Sequence, residues 1–95
     1  MKDNKFWKDY GWIIRGRQRS KVIMMFPNTP ITAETLRKEI NSKTDLKLSL
    51  REVSRHLTSF TKQGLLKCLT PDAPYCRLYI LTEKGKMIKL EVKRK

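Results

Sequence analysis

Residues 49–85, SLREVSRHLTSFTKQGLLKCLTPDAPYCRLYILTEKG, decide the fold. Ser49-Leu-Arg-Glu52 is a capping box. The Ser oxygen accepts the amide three residues on, and the Glu carboxylate reaches back to the N-cap amide. Gly64 suits the left-handed position that stops a helix. Between these signals, over 50–63, Leu50, Val53, Leu57 and Phe60 fall at helical spacing and mark one buried face. Leu65–Leu69 and Arg77–Leu81 then read as two strands of a hairpin. The loop between them holds two prolines and an Asp, which oppose strand continuation. Thr82 caps a last helix from Glu83 to about Val92, with Met87, Ile88 and Val92 as packing residues.

Upstream, Pro27 ends a helix predicted over Arg17–Phe26, in which Val22, Ile23 and Phe26 supply the apolar positions. Thr32 is an N-cap candidate for a helix over Ala33–Asn41, with Leu36 and Ile40 facing inward. Ile31 makes at most a one- or two-residue strand. Residues 41–48, NSKTDLKL, read as a polar turn with Leu46 or Leu48 tucked in. The first 15 residues are rich in aromatics (Phe6, Trp7, Tyr10, Trp12) and read as a short extended or helical lead-in, suited to core packing or a dimer seam. The expected organisation is an aromatic N-terminal extension at 1–15, one domain at 16–92 and a basic tail at 93–95.

The chain has 95 residues, the length of one domain. Its hydrophobic fraction of 39% supplies a modest core. Lys and Arg number 22 against 9 acids, a formal charge of +13. The surplus is not a tail effect: residues 1–48 hold 11 basic and 5 acidic side chains, and 49–95 hold 11 and 4. Such a domain attracts polyanions, because each neutralised phosphate releases condensed counterions. No stretch approaches the roughly 18 apolar residues of a membrane span, and MKDNKFWKDY has no apolar core of a secretory signal. A cytoplasmic protein without membrane partners is the expectation. Cys68 and Cys76 are too few for a disulfide framework. They read as reduced thiols, with a redox switch or half of a metal site as the alternative. With one His and no CxxC, no metal or other cofactor is expected.

At about 100° per residue, Arg51, Arg55, Thr58, Ser59 and Lys62 fall opposite the apolar stripe of the 50–63 helix. A helix fits the major groove of DNA, and an Arg fork can hold guanine O6 and N7. Thr58 and Ser59 are short enough for close approach, and Lys62 suits a phosphate. Tyr75 and Arg77 lie at or beside the hairpin tip, within reach of a minor groove or backbone. His56, at the helix flank, reads as an ordinary hydrogen-bonded residue. The order of elements predicts an α+β, mostly helical fold: a winged helix-turn-helix with three core helices, a two-stranded wing and a C-terminal helix.

WIIRGRQRSKVI, LREVSRHL and KQGLLKCLTPDAPYCRLYILTEKGK resemble the small archaeal winged helix-turn-helix transcriptional regulators related to the MarR and ArsR groups. The resemblance covers about residues 12–88 and is sharpest in GRQRSKV, VSRHL, QGLL and RLYxLTEKGK. It implies a double-stranded DNA-binding regulator, often a homodimer on a palindromic site. It places 50–63 in the major groove, makes 65–81 the wing, and carries contacts onto Ser54, Arg55 and Arg77. Two departures stand out. The turn at Asn41–Leu48 looks about two residues longer than the usual connector, and the tip has PYC where relatives have a Lys/Gly-rich turn. The ArsR-type cysteine metal box is absent, so metal sensing is not inherited, and no effector is indicated. Two other classes compete: a non-specific or architectural nucleic-acid binder, and a winged-helix protein-interaction module. An enzyme is not expected, since no nucleophile–base pair, carboxylate pair or phosphate-binding glycine loop occurs.

Overall fold

The 49–64 segment folds as its end signals direct. In the computed structural model, which describes residues 2–94, it is the helix Leu50–Lys62, the fourth of five among the described residues. In chain order these are α1 (Asn4–Arg15), α2 (Arg17–Met25), α3 (Ala33–Lys43), α4 (Leu50–Lys62) and α5 (Glu83–Lys93). Three short strands join them: β1 (Ile31–Thr32) before α3, then β2 (Leu66–Cys68) and β3 (Leu78–Leu81) between α4 and α5. The fold is α+β and mostly helical.

Both halves of the capping box form. Glu52 N–H donates to Ser49 Oγ at 3.1 Å and Ser49 N–H to Glu52 Oε1 at 2.9 Å. At the other end Gly64 takes φ 78°, where a β-carbon would be strained. Leu65 N–H then reaches the Phe60 carbonyl at 2.9 Å and Gly64 N–H the Thr61 carbonyl at 3.0 Å, the paired bonds that satisfy a helix's last carbonyls. Thr82 links this stop to the next start: its hydroxyl accepts from Gly85 N–H and donates to Gly64 O. Gly85 is needed for space, since a Cβ there would lie 2.1 Å from the Leu65 carbonyl oxygen.

The structure changes several expectations. The hairpin is part of a three-stranded antiparallel sheet, order β1-β3-β2, because Ile31 and Thr32 pair with Tyr79 and Leu78. Two residues upstream thereby cover the free edge of β3, as edge strands tend to be covered. Cys68 faces Tyr79 in register, not Cys76, and both thiols are free. Leu50, expected on the buried face with Val53, Leu57 and Phe60, is 45% exposed. It occupies the first helical position, beyond the reach of the core. Helix α3 runs two residues further than expected, to Lys43, so the connector to α4 is short. Asn41 bridges it with both amide groups: Nδ2 donates to Leu48 O and Oδ1 accepts Leu48 N–H. Leu46 and Leu48 are both buried.

The first 15 residues are no appendage. Asp3 caps α1, and Phe6, Tyr10 and Ile13 enter the same core as Val22, Leu36, Leu57 and Ile88. Apolar side chains at i, i+4 and i+7 put that stripe on one side of the helix. Of the tail at 93–95, Lys93 ends α5 and Arg94 is its C-cap. Met1 and Lys95 lie outside the described residues.

One buried charge holds α1 down. Asp9 is 5% exposed and pairs with Lys84 at the start of α5, whose Nζ also donates to Gln63 O at the end of α4. The pair ties three helices. Replacing Asp9 by Ala strands the Lys84 charge and is expected to cost about 2–4 kcal/mol of stability. Urea denaturation checks this, with the double variant D9A/K84M expected to regain part of the loss. A cost below about 0.5 kcal/mol would show that the pair does not hold α1.

Candidate nucleic-acid interface

Helix α4 buries Val53, Leu57 and Phe60, so geometry turns the opposite face outward. Arg51, Ser54, Arg55, Thr58 and Lys62 are exposed on it, and Ser59 is half-buried. Thr58 Oγ1 donates back to the Ser54 carbonyl at 3.0 Å, which leaves its oxygen as an acceptor.

Two grooves run beside this helix. The first, of about 600 Å³, lies between α4 and the hairpin loop. Leu50, Ser54 and Thr58 line it on the helix side, and Tyr75, Cys76 and Arg77 on the loop side. Thus Ser54 and Thr58 of the sequence-predicted helix residues meet Tyr75 and Arg77 of the tip in one groove, which Arg51, Arg55, Ser59 and Lys62 do not line. Tyr75 is 82% exposed. Arg77 Nε donates to the Ala73 carbonyl at 2.8 Å, which steadies the side chain and leaves its other donors outward. Thr70 Oγ1 accepts Leu78 N–H and closes the loop base. Cys76 turns the chain at the tip with φ 54°.

The second groove, of about 300 Å³, lies on the other flank of α4, against α1 and α2. Arg55, Ser59 and His56 face Trp12, Gln18 and Arg19 across it. The sequence pattern gives Arg19 and Gln18 no site role, although they stand in the GRQRS run. Their position depends on how α2 packs against α4, which a single helix's periodicity does not show.

The electrostatics favour anions. Among the described residues Arg51, Arg55, Lys62, Lys67 and Arg77 form no ion pair, as is also true of Lys5, Lys8 and Arg15 of α1, while the cations of α2, α3 and α5 are paired more often. Asp45, for example, takes both Arg17 and Lys21. The Lys21 hydrogen bond holds its carboxyl below the usual range. Glu52 is the one acid of α4. The Ser49 amide and hydroxyl occupy it and lower its pKa. Glu34, beside the hairpin groove, is committed to Arg37 through two bonds and is lowered by them. The outer face of α4 therefore keeps a surplus of positive charge, Arg51, Arg55 and Lys62 against Glu52, while Asp72 and Arg77 balance in the hairpin loop. Among the described residues no three His, Cys, Asp or Glu side chains gather into a metal-holding group. No helix there is long and apolar enough to cross a membrane.

His56 Nε2 lies 3.0 Å from Gln18 Oε1. Burial pushes its pKa below the ordinary 6.5, and Arg19 and Arg55 add to this against a small opposing pull from Glu52. The unfolded chain therefore binds this proton more readily than the folded one. Stability is expected to fall as pH drops below about 6.5, and to stop falling on this account below the folded value. His56→Gln should flatten that part of the pH profile, measured by urea midpoints from pH 7 to 5. An unchanged slope would show that His56 is not its source.

No family model, curated protein or solved structure matches the chain.

Proposed function

We propose that the chain is a double-stranded DNA-binding transcription regulator of the winged helix-turn-helix kind. In this reading α3 and α4 are the helix-turn-helix, α4 enters the major groove, and the β2–β3 hairpin is the wing. The observation that carries it is the outward face of α4, whose cations lack carboxylate partners and which shares a groove with Tyr75 and Arg77. Arg51 and Arg55 would read base edges, with Ser54, Thr58 and Ser59 at close range. Lys62 and Arg77 would hold phosphates. The resemblance implies a homodimer, and Trp7 and Ile14 of α1 and Leu90 of α5 are exposed apolar side chains available to a seam.

The even spread of charge over both halves favours a second reading, a non-specific nucleic-acid binder. Competition separates the two. A duplex selected by the protein should outcompete unrelated DNA or RNA by about a thousandfold or more at physiological salt. Binding should also weaken linearly in log–log form with salt, by about 0.9 in slope per phosphate contact. Equal competition by all polyanions would select the second reading. No retardation of any nucleic acid, with a protein complex indifferent to polyanions, would mark an interaction module instead.

A further inference from the structure

We propose that Arg19, held on Trp12 beside Arg55 and His56, forms a binding site for one phosphate group on the flank of α4 away from the hairpin. The Arg19 guanidinium carbon stands 4.5 Å from the Trp12 ring centroid. Trp12 is itself fixed, edge-on to the buried Phe60 ring at 5.8 Å. The guanidinium passes so close over Gly16 that a Cβ there would lie 2.0 Å from Arg19 Nε. Gly16 has ordinary extended backbone, φ −105° and ψ 114°, so what it provides is room. An arginine ordered before its ligand arrives loses less entropy on binding.

Three further groups converge. Arg55 lines the same pocket from α4 and, like Arg19, has no carboxylate partner among the described residues. Ser59 offers a hydroxyl. His56 is oriented by its bond to Gln18. Glu52 lines the pocket too; the Ser49 amide occupies its Oε1, and its charge offsets part of that of Arg55. Phosphate oxygens match the Arg19 fork, and the nearby Arg55 charge favours an anion there while its own fork stays free for a base edge. The pocket, of about 300 Å³, has room to admit such a group. The ligand is a phosphate, either of the duplex backbone or free. The first source rests on the DNA-binding reading, and the second does not.

Burial lowers the His56 pKa most, and the Arg19 and Arg55 charges that add to the lowering would be neutralised by the ligand, so its imidazole reports occupancy. The experiment follows the His56 ring by NMR while sodium phosphate is titrated against sodium chloride at equal ionic strength. Phosphate is expected to shift the ring signals saturably and to raise the midpoint of their pH titration. R19M should abolish both effects. G16A should do the same without changing net charge, because its methyl displaces the guanidinium. A response to phosphate no larger than to chloride, or one intact in R19M, overturns the site. The salt slope of duplex binding then identifies the source. A drop of about one unit in R19M assigns a backbone phosphate, while an unchanged slope with lost phosphate binding assigns free phosphate. A protein that binds phosphate at His56 yet selects no duplex keeps this site and loses the DNA-binding reading.

Discussion

The R51A/R55A variant is expected to lose about 2–6 kcal/mol of affinity for a selected duplex, which is about 30-fold to more than a thousandfold, and to keep the parent's melting temperature. Each arginine, as a fork on a base edge, is worth about 1–3 kcal/mol of discrimination. Both side chains are exposed and lack carboxylate partners, so folding does not depend on them. The loss should fall mostly on the selected duplex, with non-specific binding reduced much less. Lys62→Ala is the contrast, weakening binding evenly across sequences. Anisotropy titrations of selected and scrambled duplexes at one salt concentration measure both. An equal loss on the two duplexes would reassign the arginines to phosphates.

Phe60→Ala is expected to cost about 3–5 kcal/mol of stability. Its ring is fully buried and meets Trp12 edge-on at 5.8 Å and His56 at 6.1 Å. It joins the core in which α4 packs on α3 and β2, and it touches Trp12 of α1. Its carbonyl accepts Leu65 N–H in the turn that leads to the hairpin. A domain of this size has about 5–15 kcal/mol in all, so the melting temperature should fall by more than about 10 °C. Losing the ring also frees Trp12, so the ordering of Arg19 should weaken. A loss below about 1 kcal/mol would mean that the seating of α4 lies elsewhere.

What was legible in the sequence was local. The capping box at Ser49, the stop at Gly64 and the cap at Thr82 announce themselves through short-range chemistry, and each forms. The inward stripe of α4 was legible for Val53, Leu57 and Phe60, but not for Leu50. Periodicity gives a residue's direction around the axis, whereas burial also needs a neighbour at that height. The pairing of β1 with β3 joins residues almost fifty positions apart, and two residues carry too little pattern to announce it. The entry of α1 into the core was legible in part: Phe6 and Tyr10 read as aromatics for core packing or a dimer seam, but their partners are set by chain topology. The candidate site divides likewise. The outer face of α4 followed from its own helix, while Arg19 required the packing of Trp12, Gly16 and α4 together.

The central claim is that the outer face of α4 reads base sequence. Selection from a random duplex pool, run in parallel with the parent and Arg55→Ala, tests it most directly. The parent should enrich one motif, with two related half-sites if it binds as a dimer, and the variant should lose preference at one position of each half-site. A parent that enriches no motif, or a variant whose motif is identical in every position, would contradict it.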